Sequence, residues 1–187
     1  MTVPPVEDPR PPRLRSVPSL VLVNTGDGKG KSTAAFGVVM RAVARGWRVA
    51  VVQFVKSGAW NVGEEKTARR LEVDWWAIGE GFSWDSADLT EDQAVAAEAW
   101  AHARGVIEAG AHGLVVLDEI TYPVNWGWID GDEVATTIRG RPPTVNVVLT
   151  GRDAPAALLE VADTVTEMRA VKHAYDRGIR AKKGIDY

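Results

Sequence analysis

The densest chemistry in the chain lies in Asn24–Thr33, NTGDGKGKST, directly after the apolar run SLVLV. Glycines at Gly26, Gly28 and Gly30 let a backbone wrap closely around anionic oxygens and turn several N–H groups inward. Lys31 adds a mobile positive charge and Ser32 a hydroxyl suited to Mg²⁺, while a helix opening just after the loop adds the positive end of its dipole. These are the parts of a nucleotide phosphate loop, yet the spacing departs from the common G-x-x-x-x-G-K-[ST]. Only Asp27, Gly28 and Lys29 separate Gly26 from Gly30, and Thr25 stands where the first glycine belongs. The intact Gly30-Lys31-Ser32-Thr33 makes this a variant loop rather than a chance glycine-rich turn.

A second stretch supplies acid. In LVVLDE an apolar run ends in Asp118 and Glu119, and an acid at a strand end holds Mg²⁺ directly or through water. Spacing leaves open which of the two does so. Of the eight tryptophans, Trp75 and Trp100 fall inside regular elements and suit a core. Phe82 and Trp84 instead sit in the polar loop GEGFSWDSAD, where large aromatics suggest a flat apolar ligand or an interface. His102, His112 and His173 have no metal-ligand spacing. From Arg169 onward, Arg169, Lys172, Arg177, Arg180, Lys182 and Lys183 outnumber Asp176 and Asp186. Such a tail either completes an anion site beside the loop or is a solvated terminal segment.

Positioning these groups requires alternating strands and helices. Leu20–Asn24, Arg48–Val55, Val73–Ile78, Gly113–Ile120, Thr144–Gly151 and Thr164–Arg169 read as strands. A helix follows the loop and closes at Gly46, with Arg41 and Arg45 suited to its dipole. The TEDQ of Thr90–Gln93 matches a capping box for a long helix to about Ala109. Asp153 and Pro155 open a short helix over AALLEVA. Near-continuous apolar strands joined by helices indicate an α/β fold, a mainly parallel sheet covered on both faces, with ligands at the strands' carboxyl ends. Both the loop and the acids fall at such ends.

Composition sets outer limits. The 187 residues suit one domain, and six of the ten prolines fall within residues 1–18. The expected division is therefore a flexible proline-rich arm over 1–18 and a domain over 19–187. A net charge of −3 argues against general nucleic-acid binding. No apolar run reaches the roughly 20 residues of a membrane helix. The absence of cysteine removes disulfides, thiolate metal sites and cysteine nucleophiles, and fits the cytosol.

Taken in order, TGDGKGKSTAAFG, QFVKSGAWNVGEE, GFSW, VVLDEITY, VVLTGR and the ending VKHAYDRGIRAKKGIDY resemble the P-loop type of corrinoid adenosyltransferase. The resemblance runs from Leu20 to Tyr187, and the variant loop spacing is itself a trait of that family. It implies a RecA-like P-loop NTPase fold in three layers. It also implies transfer of the 5′-deoxyadenosyl group of ATP to the cobalt(I) of a corrinoid, with triphosphate released and ATP lying reversed along the loop. The corrinoid would be cobalamin, cobinamide or a cobyrinic acid diamide. Gly26, Asp27, Gly28, Lys29, Gly30, Lys31, Ser32 and Thr33 would surround the triphosphate, with Lys31 neutralising it. Ser32 and Glu119 would hold Mg²⁺ or Mn²⁺, Asp118 being the nearby alternative. Phe82 and Trp84 would lie under the corrin ring and displace the lower ligand of cobalt. An electron-donating reductase such as a flavoprotein, a homodimer and a cytoplasmic setting are implied as well. Asp27, Ser32 and Pro123 depart from the family pattern without removing a reacting group. A generic P-loop ATPase or small-molecule kinase would use the loop and the acids alike but leave Phe82 and Trp84 idle.

Overall fold

The computed structural model describes residues 13–55, 63–78 and 89–186. Most of the proline-rich arm, Trp60 and the pair Phe82 and Trp84 lie outside the described residues. In chain order the elements are β1 (Val21–Thr25), α1 (Lys31–Ala44), β2 (Val49–Gln53), α2 (Gly63–Arg70), β3 (Asp74–Ala77) and α3 (Leu89–Ala109). There follow β4 (Leu114–Asp118), α4 (Thr121–Asn125), α5 (Gly131–Arg139), β5 (Asn146–Thr150), α6 (Ala156–Val161), β6 (Thr164–Glu167) and a 3₁₀ turn at Tyr175–Arg177.

The six strands make one sheet in the order β3-β2-β4-β5-β1-β6, and every neighbouring pair is parallel. Strands β2 and β4 are buried at every position, which explains their unbroken apolar sequence: each face meets a helical layer. On one face Val115, Leu117, Val147 and Leu149 pack with Ala96, Ala99, Trp100, Ala103 and Ile107 of α3 and with helices α5 and α6. On the other, Val51, Leu114, Val116 and Val148 pack with Ala35, Val39 and Ala42 of α1. Each wholly buried aliphatic side chain contributes about 1.5–3 kcal/mol. This is the three-layer P-loop NTPase-like architecture expected from the sequence. Trp75 and Trp100 are both 4% exposed, as core tryptophans should be.

Two boundaries differ from the sequence reading in ways that matter. Helix α1 begins at Lys31 rather than Ala34, so Lys31, Ser32 and Thr33 form its first turn. Helix α3 begins at Leu89, which puts Thr90 inside the helix rather than at its cap. Helices α2, α4 and α5 carried weaker signals. For α5 the readable clue is Asp130, whose side chain caps the helix by accepting from the Asp132 N–H at 2.8 Å, followed by Val134 and Ile138 on its buried face.

Candidate active site

The loop between β1 and α1 turns on Gly26, at φ 90°, and Gly30, at φ 119°. Gly30 caps α1 without a side-chain hydrogen bond, and the first turn of α1 contains no acid. The first N–H groups of the helix therefore point into the loop without a competing side chain, the arrangement that favours an anion. Lys31 Nζ donates to the carbonyl oxygens of Gly26 at 2.7 Å and Gly28 at 2.8 Å. Its ammonium is thus held inside the loop's curve. Burial first, and the Arg152 guanidinium second, hold Lys31 below its ordinary value of 10.5, against the opposing pull of Asp27, Glu119 and Asp153.

The glycines answer to a protein neighbour as well as to phosphate geometry. Past β6 the backbone of Met168 and Arg169 crosses the loop, and Gly28 N–H donates to Met168 O at 2.6 Å. A Cβ on Gly26 would fall 2.5 Å from that carbonyl oxygen, and one on Gly28 2.7 Å from the Arg169 carbonyl carbon. No larger residue fits beneath this crossing without moving it.

The two acids at the end of β4 take different surroundings. Asp118 is wholly buried; its Oδ1 accepts from Thr150 Oγ1 at 2.7 Å and its Oδ2 from Gln53 Nε2 at 2.9 Å. Glu119 has φ 66°, a left-handed turn unusual outside glycine. Its N–H donates to Thr150 Oγ1 at 2.9 Å, and its side chain is only partly covered. The charge of Glu119 acts on Lys31, so this carboxylate belongs to the loop's side of the sheet end.

Asp27, Gly28, Lys29, Lys31 and Arg152 line a cleft of about 450 Å³ together with His173, Tyr175 and Asp176 of the tail. The basic tail is therefore folded back on the loop. It is latched by an ion pair between Lys29 Nζ and Asp186 at 2.7 Å. A separate groove of about 470 Å³ between α1, α2 and Ile185 is lined mainly by apolar side chains such as Phe36, Met40 and Leu71. Among the described residues it shares none with the loop cleft and is lined by no cation.

The family model for ATP:corrinoid adenosyltransferase BtuR/CobO/CobP matches residues 18–187. The chain belongs to the ATP:corrinoid adenosyltransferase family. It is 44% identical over 184 residues to a corrinoid adenosyltransferase of Pseudomonas aeruginosa, covering 97% of this chain and 90% of that one. It is 41% identical over 180 residues to one of Escherichia coli K12, covering 96% and 91%. Against the corrinoid adenosyltransferase CobA of Salmonella typhimurium the identity is 39% over 180 residues, with the same coverage. The protein is accordingly an enzyme, a transferase of a family that works on ATP and a corrinoid. Among the described residues no helix is long and apolar enough to cross a membrane.

Within this family framework, the residues expected from sequence fall into three groups. Gly26–Thr33, Asp118 and Glu119 come together at the carboxyl end of the sheet. Lys29 lines the same cleft while pairing with the tail. Phe82 and Trp84 lie outside the described residues. Sequence reading overlooked Gln53, Thr150 and Arg152. The first two had a usable signal, each being a lone polar residue at the end of a buried apolar strand.

Proposed function

We propose that this chain transfers the 5′-deoxyadenosyl group of ATP to the cobalt of a reduced corrinoid and releases triphosphate. The carrying observation is that the family match over residues 18–187 coincides with one cleft in which Lys31, Arg152 and the α1 N-terminus converge. Cobalt(I) is a strong nucleophile, so attack at C5′ needs no protein base. The protein's task is to hold C5′ in line with cobalt and to stabilise the departing triphosphate. Lys31 and the loop N–H groups meet that charge. Gly26, Asp27, Gly28, Lys29, Gly30, Ser32 and Thr33 shape the bed in which the triphosphate lies.

Ser32 on the first turn of α1 and the partly exposed Glu119 offer hard oxygen donors, the set that Mg²⁺ or Mn²⁺ accepts. When bound, the metal supplies further charge neutralisation on the phosphates. Asp118 is already held by Thr150 and Gln53, which supports Glu119 as the direct ligand and Asp118 as the group that orients the turn. The family resemblance assigns Phe82 and Trp84 to the apolar surface under the corrin ring. By excluding water and the lower ligand they ease reduction of cobalt(II), with electrons from a reductase such as a flavoprotein. The working form in this reading is a cytoplasmic homodimer.

Product analysis tests the reading. Purified protein, ATP, Mg²⁺ and chemically reduced cobalamin should give a light-sensitive organocobalt product and an equal amount of triphosphate. ADP with phosphate would point to the generic ATPase or kinase instead. Running cobinamide and a cobyrinic acid diamide in parallel ranks the corrinoids, and sedimentation gives the oligomeric state.

A further inference from the structure

We propose that Arg152 is a second cation on the triphosphate, stabilising it with Lys31 as the leaving group departs. This deepens the adenosyl-transfer reading above and rests on it. The sheet order places β5 between β4, which ends in the acids, and β1, which leads into the loop. The carboxyl end of β5 therefore emerges between the two halves of the site, and Arg152 lines the cleft beside Gly28 and Lys31.

Its main chain is clamped from both sides. Thr121 Oγ1 donates to Arg152 O at 2.6 Å, and Asn125 Nδ2 donates to Arg152 O at 3.3 Å and to Asp153 O at 2.9 Å. On the other side Ala154 N–H donates to Thr25 Oγ1 at 3.0 Å. Among the described residues the guanidinium itself makes no hydrogen bond or ion pair. A clamped backbone thus presents an uncommitted planar fork at the phosphate cleft. Its charge also bears on Lys31. Two like charges facing one cleft repel until an anion lies between them, and a polyphosphate is such an anion.

In the reaction the Co–C5′ bond forms as the C5′–O bond breaks, and that bond's electron pair stays on oxygen. Triphosphate thus leaves with one more negative charge than it carried as an ester. A guanidinium fork can bridge two phosphate oxygens where lysine offers a single point charge. Contacts that strengthen as charge develops raise kcat rather than merely lowering KM.

The test compares Arg152→Ala and Arg152→Lys with the parent enzyme, using chemically reduced cobalamin, and separately measures binding of inorganic tripolyphosphate. Arg152→Ala should lower kcat by roughly 10²-fold, the scale of losing one preorganised donor to developing charge. It should change the KM for ATP less and weaken tripolyphosphate binding by about tenfold. Arg152→Lys should recover part of both losses. Because the clamps use main-chain atoms that alanine keeps, melting should barely shift. Should Arg152→Ala fail to fold, Arg152→Gln carries the same expectations. Parental kcat and tripolyphosphate affinity in the alanine or glutamine variant would overturn the proposal. If the parent enzyme makes no organocobalt product, the adenosyl-transfer reading fails instead, and the tripolyphosphate measurement still reports on Arg152.

Discussion

Thr150→Val probes the joint between the fold and its acids. Thr150 is wholly buried at the end of β5; its hydroxyl donates to Asp118 Oδ1 at 2.7 Å and accepts the Glu119 N–H at 2.9 Å. Valine matches its shape and has neither function. A hydrogen bond to a buried charge is worth about 1.5–3 kcal/mol, and an orphaned buried amide costs about 1–3 kcal/mol more. Their mid-range sum, about 4 kcal/mol, is offset by the gain of one buried methyl, about 0.8 kcal/mol. A net loss of about 3 kcal/mol corresponds to roughly 6–12 °C in Tm for a chain of this length. The left-handed turn at Glu119, φ 66°, also loses the bond that holds it. Metal-dependent ATP binding should then weaken more than metal-free binding. Thermal and urea melts, followed by calorimetry with and without Mg²⁺, measure both effects, and Thr150→Ser should restore most of each. A valine variant within about 0.5 kcal/mol of the parent, the range of an inconsequential substitution, would show that the Asp118–Thr150–Glu119 linkage does not govern this end of the site.

Three further outcomes follow from the same geometry. Gly28→Ala places a methyl 2.7 Å from the Arg169 carbonyl carbon; it should cost about 1–3 kcal/mol as overpacking and speed tryptic cleavage after Arg169 and Lys172, and unchanged cleavage rates would contradict it. Asp74 is held below its ordinary 3.8 chiefly by the hydrogen bond from His112, then by that from Arg48. A lowered carboxylate stabilises the fold above pH 3.8, and that stabilisation is lost as pH falls through its folded value. The stability gap between the parent and Asp74→Asn should therefore be full at neutral pH and close in acid; a gap that stays constant from pH 7 to about 3 would sink the linkage. Trp84→Ala should leave ATP binding intact and slow reaction from cobalt(II) more than from pre-reduced cobalt(I), whereas equal losses in both assays would count against the aromatic wedge.

The phosphate loop was legible because its chemistry is local: Gly26 to Thr33 are consecutive, and the glycines, the lysine and the hydroxyl carry their meaning in residue type and order. The sheet was legible because a parallel strand covered on both faces must be apolar throughout, as Val49–Gln53 and Leu114–Asp118 nearly are. What the sequence left open was set by strand order, which no local pattern encodes. Placing β2 and β5 on either side of β4 delivers Gln53 and Thr150 to Asp118 and leaves Glu119 near enough for its charge to act on Lys31. Placing β5 beside β1 brings Arg152 to a loop more than a hundred residues earlier in the chain. The fold of the tail onto Lys29 and the crossing of Met168 over Gly28 likewise depend on contacts between distant segments. Residue type thus determined which groups were able to act, and long-range packing decided which of them meet.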